Sequence, residues 1–198
     1  MTDSQLIREI KDGNVELYSM LMSRYQKKIL AFVYHMLRSA KLEAMAEDLC
    51  SEAFYKAYRS LHSFRELDAS FSTWLYTIAR NTVLSELRKQ KTAHVSLDDT
   101  AYIPAAPAES GPEQSLLRSE KTLKVREAIN SLPEKQRSAL ILREYEGLDY
   151  QEIANILDQT VSSVKSLLFR ARASVKSQLE SYFNEPVMMK EYEEMKLR

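Results

Sequence analysis

The side chains of this 198-residue chain best placed to do chemistry lie near its C-terminal end, in SSVKSLLFRARASVKSQL from Ser162 to Leu179. On a helical wheel Val164, Leu168, Ala171, Val175 and Leu179 form one apolar stripe. Ser162, Lys165, Ser166, Phe169, Arg170 and Lys176 fall opposite it, and Ser163 and Arg172 complete the polar set. Short hydroxyls near a helix start, cations further on and one apolar group suited to a thymine methyl are what a helix needs in a DNA major groove. The plainer alternative is a helical hairpin with an ordinary solvated basic face.

Two further constellations stand earlier in the chain. FRELDASFSTWLYTIARNTVLSELRKQK, Phe64 to Lys91, sets Phe64, Phe71, Trp74 and Tyr76 around a polar loop and the start of a basic helix bearing Arg80, Asn81 and Arg88. Aromatics beside cations stack unpaired bases, although aromatics at helical spacing more often serve a core. EAMAEDLCSE and the residues after it gather Glu47, Asp48, Ser51, Glu52 and Tyr55, a face for a basic protein partner or simply a solvated one. Neither suggests catalysis. His35, His62 and His94 are isolated, Cys50 has no evident base, and no phosphate-binding glycine loop or metal-ligand spacing occurs. The expectation is a non-enzyme without metal or cofactor.

These residues need helices to position them, and the composition supplies little else. With Gly 3 and Pro 5 among good helix formers, the expected fold is all-α. A stretch holding Pro104, Pro107, Gly111 and Pro112 breaks every periodicity and has linker composition. It divides a helical domain at 1–91, through a linker at 92–115, from a helical domain at 116–182, and a tail follows at 183–198.

In the first domain Asn14 is expected to cap a helix through Arg38. A second helix runs from about Glu43 to His62, burying Leu49, Ala53, Ala57 and Leu61. A third starts with Ser72 as N-cap and carries Thr77, Arg80, Asn81 and Arg88 on its open face. In the second domain helices are expected over Leu116–Ser131 and Glu134–Glu146. Gly147 suits a left-handed stop, and Asp149 with Glu152 forms a capping box opening DYQEIANIL. Asp158, Gln159 and Thr160 then make a short turn into the basic helix: helix, three-residue turn, helix, the spacing of a helix-turn-helix.

The single cysteine fits a reducing cytosol. The N-terminus lacks the layout of a signal peptide, and no apolar run would span a bilayer, so a soluble cytoplasmic protein is expected. Net charge is +0, but the charge is segregated into basic and acidic stretches, which suggests two kinds of partner, at least one of them an anion.

Taken together, AEDLCSEAFYKAYRSLHSF, FSTWLYTIARNTVLSELRK, LPEKQRSALILREYEGLDYQEIANIL and SVKSLLFRARASVKSQL closely resemble the extracytoplasmic-function (ECF) group of bacterial sigma factors, over about Gln5 to Tyr182. The resemblance implies a subunit that binds RNA polymerase core and directs it to promoter DNA. In that family the first domain recognises and melts the −10 element and the second reads the −35 element as duplex. It places the contact with the β′ clamp helices on Glu47 to Arg59. It assigns −10 recognition to Phe64–Lys91, where Asn81 and the Phe64–Phe71 loop would hold an extruded base. The linker, with Asp98, Asp99, Glu109 and Glu113, would thread toward the polymerase active-site channel, with the β subunit as a further partner. An anti-sigma factor is implied as another partner; a small-molecule substrate is not.

The chain departs from the family at Ser162-Ser163, where Gly-Thr is frequent, and at Leu167, where Arg is, so a promoter sequence does not carry over. A stand-alone helix-turn-helix repressor is the competing reading, and it requires dimerisation and tight DNA binding by the free chain.

Overall fold

The computed structural model describes residues 1–67, 69–94 and 112–183. Their regular structure is helical, without a strand among the described residues: α1 (Asp3–Lys11), α2 (Tyr18–Leu37), α3 (Ala46–Ser60), α4 (Phe71–His94), α5 (Pro112–Asn130), α6 (Glu134–Glu144), α7 (Tyr150–Leu157) and α8 (Val161–Phe183). The linker acids Asp98, Asp99 and Glu109 and the tail 184–198 lie outside the described residues. No helix is long and apolar enough to cross a membrane among those described.

Helices α2, α3 and α4 pack around Ile29, Phe32, Val33, Leu49, Ala53, Ala57, Leu75 and Val83, the apolar positions that recur every three or four residues along each helix. α1, unmarked by the sequence reading, lies across α2 through Leu6, Ile7 and Ile10. A capping box starts it: Gln5 N–H donates to the Thr2 hydroxyl, and the Gln5 side chain accepts from Thr2 N–H.

Two expected caps move. α2 begins after a turn of 3₁₀ helix at Val15–Leu17, and Asn14 bonds Glu9 instead of capping a helix. α4 starts two residues before the expected cap would allow. Ser70 is its cap, accepting from Thr73 N–H at 3.1 Å, because only the residue just outside the first turn can reach that amide. In the second half α5 begins at Pro112, a favoured residue for a first helical position, rather than at Leu116. Gly147 has the expected left-handed φ of 71° after α6, and Leu148 N–H closes the stop on Leu142 C=O at 3.1 Å.

The two halves share one continuous core. α6 lies on α2 and α7 on α4, with Met36, Ala79, Ile141 and Leu142 all in the same buried cluster. Polar contacts line this junction. Tyr76 O–H donates to Glu146 at 2.6 Å, Ser138 O–H reaches the Met36 sulfur at 3.4 Å, and the rings of His35 and Tyr145 lie 4.4 Å apart. Linker composition marks where halves divide but carries no information on whether they touch.

Candidate nucleic-acid interface

The expected helix-turn-helix is α7 and α8. Asp149 caps α7 by accepting from Glu152 N–H at 2.8 Å, and the Glu152 carboxylate accepts from Asp149 N–H at 2.9 Å. Asp158 takes a left-handed φ of 52° to end α7, and the Thr160 hydroxyl accepts from Ser163 N–H at 3.1 Å to start α8. Ile153, Ala154 and Leu157 of α7 are buried with Val164, Leu168 and Ala171 of α8. Burying a Leu or Val side chain contributes about 1.5–3 kcal/mol, enough to fix which face of α8 points outward.

The outward face carries Ser162, Lys165, Ser166, Phe169, Arg170, Arg172 and Lys176, all exposed, with Ser163 half-buried at its edge. Phe169 is 74% exposed. The hydroxyls of Ser166 and Ser163 make only local bonds, to Ser162 C=O and to Gln159. The cations differ in their freedom. Arg172 donates to Glu144 at 2.6 Å and Lys176 lies 3.5 Å from Glu180, whereas Arg170 reaches only Ser166 C=O on its own helix. Tyr150 was missed by the sequence reading: Lys165 sits over its ring at 5.7 Å and Arg143 at 5.0 Å. Its place at the first position of α7, one residue after the capping Asp149, was the available signal.

In the Phe64–Lys91 segment the aromatic reading changes. Phe64 and Phe71 are buried in the core, 5.8 Å apart, with Trp74 half-buried 4.9 Å from Phe64 and Tyr25 edge-on to Phe71 at 5.6 Å. Neither Phe64 nor Phe71 presents a ring for a base to stack on. They anchor the ends of the loop, whose tip presents Leu67 at 99% exposure, and Lys11 ties the Phe64 carbonyl at 2.7 Å. Asn81 and Arg88 are exposed on α4. Arg80 is not: it is 8% exposed and its guanidinium grips the Glu134 carboxylate at 2.9 and 3.0 Å. A wheel drawn on one helix cannot show that α6 and α7, remote in sequence, cover the face it leaves open.

On α3 the side chains of Glu47, Asp48, Ser51, Glu52 and Tyr55 are all exposed. Glu52 pairs with Lys56 at 2.7 Å, and Arg59 lies over the Tyr55 ring at 5.9 Å. The opposite face of α3 buries Cys50, whose thiol burial pushes up to about 11, out of the range of a working nucleophile. No group of three or more His, Cys, Asp or Glu side chains that could hold a metal ion occurs among the described residues.

Residues 21–93 match the family model Sigma-70 region 2, and residues 122–175 match Sigma-70, region 4. The RNA polymerase sigma-H factor of Pseudomonas aeruginosa is 36% identical over 190 residues, covering 92% of this chain and 96% of its own length. The ECF RNA polymerase sigma-E factor of Escherichia coli K12 is 39% identical over 188 residues, covering 91% and 95%. Among solved structures, the sigma factor RpoE of Bartonella quintana, in complex with the anti-sigma factor NepR, aligns with a TM-score of 0.66 at 25% identity, over 82% of this chain and 96% of that one. CnrH, in complex with the cytosolic domain of CnrY, aligns at 0.67 over 90% and 97%; at 20% identity it speaks for the fold alone. Two region models in sequential order and near-full-length relatives at this identity place the chain in the sigma-70 family, in its ECF group: it is a non-enzymatic sigma factor of promoter-specific transcription initiation.

Proposed function

We propose that this sigma factor divides promoter recognition between its halves, residues 1–91 acting on the −10 element and residues 116–182 reading the −35 element as duplex. The observation that carries this is α8: its apolar stripe is buried against α7 while Ser162, Lys165, Ser166 and Phe169 project from its first turns. Lys165 and Ser166 read base edges, Phe169 meets a thymine methyl, and Arg170, Arg172 and Lys176 position the helix on phosphates. On the first half, Asn81 and the Phe64–Phe71 loop capture an unpaired −10 base, and Trp74 and Arg88 contact the same strand elsewhere along α4.

The α3 face of Glu47, Asp48, Ser51, Glu52 and Tyr55 docks on the polymerase clamp helices. The linker 92–115 runs toward the active-site channel and the β subunit, and the protein works in the cytoplasm. RpoE of Bartonella quintana forms a complex with an anti-sigma factor, which supports a partner of that kind for this chain.

Transcription in vitro by purified core polymerase, with and without this chain, is the test. Promoter-specific transcripts that need the chain are expected; core unresponsive to it, together with nanomolar operator binding by a dimer of the free chain, would sink the reading. Asn81→Ala is expected to impair initiation on duplex promoters more than on templates already opened by mismatches. Equal loss on both would remove Asn81 from base capture.

A further inference from the structure

A cleft of about 710 Å³ opens where the C-terminal part of α4 meets the turn after α2 and the start of α6. Its apolar wall includes Leu42, Leu84, Leu87 and Leu132, and Arg88, Lys91 and Arg137 bring three cations to it. Leu84, Leu87, Arg88 and Lys91 recur at intervals of three and four, so they share one face of α4, apolar first and basic after.

The cations lack counter-charges. Arg88 and Lys91 are exposed and make no ion pair among the described residues. Arg137 is 7% exposed, its Nη1 donates to the Asn130 and Leu132 carbonyls at 3.3 and 2.9 Å, and its Nε has no partner. Among the lining residues the only carboxylate is Glu134, which is engaged by the Arg80 guanidinium at 2.9 Å and the Ser138 hydroxyl at 2.7 Å.

This balance selects a class of ligand. Surplus positive charge repels a cation, and burying a guanidinium without a paired anion is costly, so an anionic group is what the cleft lacks. No aromatic ring lines it, so a nucleobase would find nothing to stack on, whereas the leucines suit an aliphatic chain. From Leu84 to Lys91 the face runs about 10 Å at 1.5 Å per residue. That is the length of an extended chain of about eight carbons. The volume also falls within the range of about 300–1,000 Å³ usual for small-molecule sites.

We infer that this cleft binds an aliphatic chain of medium length ending in an anionic group, with the head at Arg88 and Lys91, in the field of Arg137, and the chain along the leucines. The walls come from both halves, so occupancy stabilises their packing. The site does not depend on the assignment of promoter elements to the halves.

The full-length chain is titrated by calorimetry with decanoate and with decyl phosphate, both below micelle-forming concentrations, and with decanol as the uncharged analogue. One saturable site per chain and a raised Tm are expected for at least one of the two anions, with decanol at least tenfold weaker. The tighter anion then distinguishes a fatty acid from a lipid phosphate. Lys91→Gln and Leu87→Gln should each weaken binding about fivefold. Lys89→Gln, the same charge change on α4 but outside the cleft, should leave it unchanged.

Helicity is checked by circular dichroism. Where Leu87→Gln proves poorly folded, Lys91→Gln and Arg88→Gln, both at exposed positions, carry the comparison. No saturable site for either anion, decanol binding as tight as theirs, or anion binding that survives Arg88→Gln combined with Lys91→Gln would each overturn the proposal.

Discussion

Phe169 stands mostly in water on a helix that buries Val164, Leu168 and Ala171 a turn away. If it meets a thymine methyl, Phe169→Ala should lose discrimination at one base pair by about 1–3 kcal/mol. Uracil at that position should cost the wild type most of the same amount, measured as holoenzyme affinity for matched promoters. An effect of the mutation with none from uracil would mean that Phe169 packs against protein.

Arg170 and Arg172 look equivalent in sequence but differ in the fold. Arg170→Ala should reduce the salt dependence of −35 binding by about one ion. Arg172→Ala should reduce it less, because forming its phosphate contact first requires leaving Glu144. Salt titrations of the two variants settle it. The stripe of α8, the capping box of Asp149 and the turn at Asp158–Thr160 were legible because each depends on neighbours within four residues. Phe64, Phe71 and Arg80 were not, because an aromatic or a cation at helical spacing looks the same whether it faces solvent or a segment fifty residues away.

Among the elements, α3 and α7 follow from local pattern and α1 shows what pattern reading overlooks. α1 carries a capping box and three apolar residues, but so short an amphipathic segment is marginal without the α2 face it covers. α3 offers the most direct test of an element as a binding surface. Reversing Asp48 and Glu52 to Lys should abolish co-purification with core polymerase while leaving helicity unchanged, since exposed charges contribute little to folding. Retention of wild-type binding would remove α3 from the polymerase interface.

At the scale of the molecule, the stability of the junction should depend on pH. Burial, Arg38 and Arg126 hold His35 below its ordinary value. The unfolded chain therefore takes up that proton first as pH falls. The stability His35 contributes is complete above about 6.5 and is lost as pH drops through its lower folded value. Glu146, raised by burial, acts in the opposite sense: its contribution is complete below the ordinary carboxylate value and is lost as pH rises through the folded one. The His35 part is isolated by comparison: from pH 7.5 to 5.5 the wild-type Tm should fall more steeply than that of His35→Gln. Parallel curves would discount it.

The order of the junction along the chain also sets an order in time. Arg80 leaves the ribosome 54 residues ahead of Glu134, which at about 5–20 residues per second is an interval of roughly 3–11 s. During that interval the rest of α4, with the core residue Val83, emerges, while the carboxylate that will hold Arg80 has not yet been made. A newborn chain thus passes through a stage in which α4 is not yet covered by α6 and α7.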